Sequence, residues 1–195
     1  MTGLVVSPRT AEEPMAFTRA ELGRGAFLAW CTFMILLLGF FVVVAIAAAT
    51  GRLLSGDPFN VLSELYISMA VIAYAGLVGG SVGFVAMLAG TPLAWLIGRA
   101  LRRVRHIGIH LLSFTAFGAL AGLGVAGIFS VVNLGALHLA PVLWLLPIMT
   151  AIAVPTGWWL TVRRARREEL GLVRPRRRTR DADMVTEDAV RGEDG

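Results

Sequence analysis

Three long stretches of this chain contain no Asp, Glu, Lys or Arg: Gly25 to Gly51, Leu65 to Gly98 and Ile107 to Val162. A soluble domain of 195 residues has too little interior to hide that much uncharged chain from water. A lipid bilayer accepts it, because roughly 20 apolar residues at about 1.5 Å rise each cross a hydrocarbon core of about 30 Å. The third stretch is long enough for two crossings, so the pattern predicts four. Composition agrees: 56% of residues are hydrophobic and 16% charged, with a mean hydropathy of +0.73, whereas soluble domains carry about 25% charged residues.

The expected fold class is therefore all-α: a polytopic integral membrane protein, a bundle of about four transmembrane helices. Its spans are placed at about 26–50, 66–97, 107–132 and 139–162. Residues 1–24 form a polar N-terminal tail in which Thr18-x-x-Glu21 has the form of a capping box. The first apolar run is too long for the 7 to 15 residue core of a signal peptide, so it reads as a retained span. Gly56, Asp57 and Pro58 mark a loop. Residues 66–97 exceed one straight crossing, and the expected remedy is a kink at Gly90-Thr91-Pro92, with Gly79-Gly80 as a second place for it. Residues 163–195 are Arg-rich and then acidic, a composition that predicts disorder.

Arginine placement predicts orientation. Basic residues concentrate in the N-terminal tail, in the 99–106 connector and just after Val162, and are nearly absent from the 51–64 loop and the 133–138 link. By the positive-inside rule both termini lie in the cytoplasm, in a cell membrane. All 18 basic residues are Arg, which with the abundance of Ala, Gly and Val suggests a bacterial, high-GC origin. Trp30, Trp95, Trp144, Trp158 and Trp159 each fall near an expected span end, as interfacial anchors do. The resemblance between Pro92-x-x-Trp95 and Pro155-x-x-Trp158, each followed by arginines, is read as two span ends meeting the same interface rather than as a duplication.

Chemistry-bearing groups are scarce. The single Cys31 excludes an intrachain disulfide or a cysteine metal cluster. No carboxylate or arginine lies inside any expected span, which disfavours proton-coupled transport. No phosphate-binding loop, HExxH helix or GxSxG elbow occurs, so no catalytic, cofactor or metal residues are assigned and the chain leans away from being an enzyme. His110 and His138 stand about 28 residues apart at opposite ends of the third span, too far for one haem. Both are expected to be hydrated near the interfaces.

The densest pattern is glycine at four-residue spacing: Gly76 with Gly80, Gly79 with Gly83, and Gly118 with Gly122. Such ridges let helix backbones approach closely where lipid supplies no hydrophobic drive, so these six are the helix-packing candidates. The first span, bulky on every side with Gly39 its only internal glycine, is expected at the periphery facing lipid. Arg163, Arg164, Arg166 and Arg167 are candidates for anionic lipid headgroups at the inner leaflet rather than for nucleic acid. The functional expectation is a structural, assembly or regulatory subunit that binds a membrane partner or its own copies. The alternative is a small oligomeric transporter or channel.

Overall fold

The computed structural model describes residues 19–56, 60–104, 106–132 and 140–169. Every regular element among them is an α-helix: α1 (Arg19–Ser55), α2 (Val61–Leu101), α3 (Ile107–Val132) and α4 (Ala140–Glu169). Each contains a segment long and apolar enough to cross a membrane, so the chain is a multi-pass, four-helix membrane protein. Residues 1–18 of the N-terminal tail, the residues 57–59 around Pro58, and the 133–139 link with Asn133 and His138 lie outside the described residues. So does the tail from Leu170 on. Residues 19–24 of the expected N-terminal tail belong to α1.

Two helices run well past the expected spans. α1 has 37 residues and α2 has 41, or roughly 55 and 60 Å at 1.5 Å per residue. As expected over 66–97, α2 is one helix, continuous through Gly79-Gly80 and Pro92. Beside its proline, Thr91 Oγ1 donates to the Met87 carbonyl at 2.7 Å. The same device recurs in α4. There Thr150 Oγ1 donates to Leu146 beside Pro147, and Thr156 Oγ1 to Ile152 beside Pro155, each at 2.7 Å. These hydroxyls satisfy themselves within their own helices, as a polar side chain in lipid must.

The turn between α1 and α2 is built from three local signals. Gly56 adopts φ +71°, the left-handed conformation that ends a helix at low cost only for glycine. Asn60 caps α2, its Oδ1 accepting from the amides of Leu62 at 3.1 Å and Ser63 at 3.3 Å. Arg52 and Glu64 then pair across the hairpin.

Packing is antiparallel throughout. Trp30 and Phe33 of α1 face Gly83 of α2, Met34 faces Gly80, Leu37 faces Gly79 and Leu38 faces Gly76. Gly90 of α2 faces Phe117 of α3. Gly118 and Gly122 of α3 lie against Thr150 and Pro147 of α4, and Gly157 of α4 lies against Gly25 and Ala29 of α1, closing the ring. The core is the cluster of Phe33, Leu37, Met149 and Ala153. The first span, expected at the periphery, does leave most of its length uncovered, yet it also gives Phe33 and Leu37 to this core. Bulk is what a helix needs to fill the grooves left by glycines on its neighbours, so α1 supplies knobs to α2 and core residues to α4.

The chain divides into two units, Met1–Val162 and Arg163–Gly195. Within the second, the helix continues to Glu169 and Arg164 Nε donates to Glu168 Oε1 at 3.2 Å.

Candidate functional site

The six glycines of the packing ridges differ in what they touch. A Cβ on Gly76, Gly79, Gly80 or Gly83 would meet side-chain atoms of α1, which can give way. A Cβ on Gly118 would overlap the Thr150 carbonyl oxygen and lie 3.2 Å from Ala151 Cα. On Gly122 it would overlap Thr150 Oγ1 and lie 2.6 Å from Pro147 Cα. The α3–α4 crossing is therefore a backbone contact, while the α1–α2 crossing is knobs on a smooth ridge. A seventh close approach escapes a search for paired glycines: a Cβ on Gly157 would lie 2.6 Å from both the Ala29 amide nitrogen and the Gly25 carbonyl oxygen. Its ridge is Ala153, Gly157 and Thr161, all buried at four-residue spacing. The generalised small-xxx-small pattern would have found it.

At the end of the bundle carrying Arg24 and Arg99, three rings form a buried stack. Trp158 lies against His110 with centroids 5.2 Å apart and planes at 8°, and against Phe114 at 5.6 Å and 27°. His110 has 0% exposure, and its Nε2 donates to the Val104 carbonyl at 2.9 Å, tying the α2–α3 connector to α3. The expectation of a hydrated interfacial His110 is thereby corrected. Its neighbours in sequence place it one turn into α3, where the ring is covered by Trp158. Trp158 itself is core rather than anchor. His110 Nδ1 and Trp158 Nε1 are buried without hydrogen-bond partners among the described residues. Trp30 is likewise committed inward, its Nε1 donating to the Gly80 carbonyl at 3.1 Å. Trp95 carries the Arg99 guanidinium 5.4 Å above its ring, and Trp144 is 68% exposed.

Between the four helices of the first unit runs a cavity of about 470 Å³. It extends from Glu21, Gly25 and Thr161 at the Arg24 end to Phe41, Phe129 and Leu143 at the other. Its walls are almost wholly apolar, and the small residues of α2, among them Gly79, Gly83, Ala86 and Gly90, form one side. Of the polar groups along its length, Thr91, Thr150 and Thr161 donate to carbonyls of their own helices and Trp30 donates to Gly80, while Trp158 Nε1 is without a partner among the described residues. No sequence signal marks this space, because a void depends on side-chain volumes contributed by four separated segments.

Of the arginine candidates, Arg163, Arg164 and Arg167 are exposed, and the Arg166 side chain lies outside the described residues. Among the described residues no group of three or more His, Cys, Asp or Glu could hold a metal ion. Compared with protein-family models, curated proteins and solved structures, the chain finds no match in any of the three.

Proposed function

We propose that the protein works by binding: a structural, assembly or regulatory subunit of a cell membrane, both ends cytoplasmic, that joins another membrane protein through its α1–α2 hairpin. Its arginines Arg163, Arg164, Arg166 and Arg167 hold anionic headgroups at the inner leaflet. The observation that carries this reading is the length of the hairpin. Gly90 lies opposite Phe117. Counting about fifteen residues along each antiparallel helix sets Val132, the end of α3, level with Ala75 of α2. Residues 61–74 of α2 and the α1 residues beside them therefore extend roughly 20 Å past α3. Along that extension Val43, Ile46, Leu65, Ile67 and Met69 are exposed, without cover from any described residue of α3. Two apolar helices free on their outer faces offer a partner helix a full groove, where glycine and alanine permit close approach.

A photo-crosslinking residue at Val43 or Leu65 should capture one distinct membrane protein in cells, whereas the same residue at Ile148 or Ile152 of α4 should give only lipid adducts. Lipid adducts alone at all four positions would overturn the reading. The cavity favours the alternative, a small oligomeric transporter of apolar molecules. Crosslinks from Val43 and Leu65 to copies of this chain alone would support that alternative.

A further inference from the structure

The cavity can be neither empty nor wet. Protein interiors close to crystalline density, and an unfilled space of about 470 Å³ leaves its whole lining without dispersion partners. Water enters such a space only where polar groups offer it two or more hydrogen bonds. Here the hydroxyls of Thr91, Thr150 and Thr161 and the indole of Trp30 bond within the bundle. What remains along the walls is hydrocarbon, apart from Glu21 and Tyr74 towards the two ends and the single unpartnered donor Trp158 Nε1, which alone falls short of the two bonds a water needs. The only abundant filler around a membrane-spanning bundle is hydrocarbon too.

The shape narrows the choice. From Gly25 to Phe41 the lining climbs α1 by about 24 Å, most of the thickness of a hydrocarbon core. An occupant that follows the lining over that length is long, linear and apolar, as one hydrocarbon chain is. Polarity is also graded. Glu21 and Thr161 line the Arg24 end, while Phe41, Phe129 and Leu143 line the other beside Tyr74, so the charged group stands at one end only. An amphiphile fits this gradient in one direction, with its tail running inward from a head held near Glu21 and Thr161.

We infer that the cavity is a binding site for one acyl chain of a glycerophospholipid, drawn from the leaflet at the Arg24 end and held along the axis of the bundle. This site goes beyond the partner-binding reading and stands whether or not the hairpin has a partner. Nothing catalytic is required of it. A chain lodged among α1, α2, α3 and α4 completes the core, so the bound lipid is part of the folded protein rather than of the lipid shell around it.

The full-length protein, purified in a mild non-ionic detergent and washed free of loosely held lipid, should retain about one phospholipid per chain, visible as a single adduct by native mass spectrometry. Stripped protein should regain thermal stability when dioleoyl phosphatidylethanolamine or phosphatidylglycerol is added, and the gain should saturate at one equivalent. Ala86→Phe and Ala121→Phe fill the bore, and should retain at least tenfold less lipid and lose the response to added lipid. A phospholipid brominated along its acyl chain should quench Trp30 and Trp158 in a variant whose other three tryptophans are Phe. This readout leaves the bore intact even if the filled variants fold poorly. Overturning results are clear. They are wild-type protein that carries no lipid and ignores added lipid, filled variants that retain as much as wild type, an adduct with the mass of a free fatty acid, or absence of quenching.

Discussion

Gly118 and Gly157 touch backbone, and Gly39 touches nothing within 4 Å. Added to the first two, a methyl group must push two helices apart, at a cost of about 1–3 kcal/mol each. At Gly39 the same change removes only the helix penalty of glycine and should stabilise by up to about 1 kcal/mol. Unfolding titrations in mixed detergent should therefore rank Gly39→Ala above wild type and Gly118→Ala and Gly157→Ala below it. Gly80→Ala, facing the flexible end of Met34, should fall between them. Equal effects at all four would mean that the close approaches carry no energy. The ridge glycines of α2 and α3 stand out in the sequence because glycine is distinctive. Gly157 does not, because its ridge neighbours are Ala153 and Thr161. Tryptophan shows the same limit from another side. Trp95 and Trp158 have the same local surroundings in sequence, a proline three residues before and arginines after. Yet one carries Arg99 on its ring and the other is buried beneath His110. What separates them is the neighbour across the bundle, which local sequence does not contain.

At the scale of elements, the number and order of helices follow from the charge-free stretches, since no other structure satisfies backbone hydrogen bonds in lipid over that length. The ends of α1 and α2 do not, because a helix that leaves the apolar layer needs only caps and propensity to continue. The Asn60 cap has that role for α2. Asn60→Ala should cost about 1 kcal/mol locally, and the Leu62 and Ser63 amides should exchange hydrogen roughly fivefold faster. The Arg52–Glu64 pair is exposed, with side chains 53% and 20% accessible. Glu64→Gln should accordingly change stability by less than about 1 kcal/mol, an effect that shrinks further at high salt. If Glu64→Gln frays α2 more than Asn60→Ala does, the ion pair rather than the cap sets the hairpin.

For the whole molecule, the two exposed positions Ser55 and Ala100 lie at opposite ends of the bundle. With Cys31→Ala as background, Ser55→Cys should react with an impermeant thiol reagent in intact cells, and Ala100→Cys only after the membrane is opened. Reaction of Ala100→Cys in intact cells would reverse the proposed orientation. The unequal lengths of the two hairpins carry a further consequence. A bilayer meets a taller apolar wall along α1 and α2 than along α3 and α4. It must thicken on one flank, or the bundle must lean until the walls match, and each adjustment costs a fraction of a kcal/mol per ångström of mismatch. A molecule built this way responds to the thickness of its membrane. Tilt should therefore increase in bilayers of shorter-chain lipid and fall in those of longer-chain lipid, a dependence that oriented-sample spectroscopy of the reconstituted protein would measure.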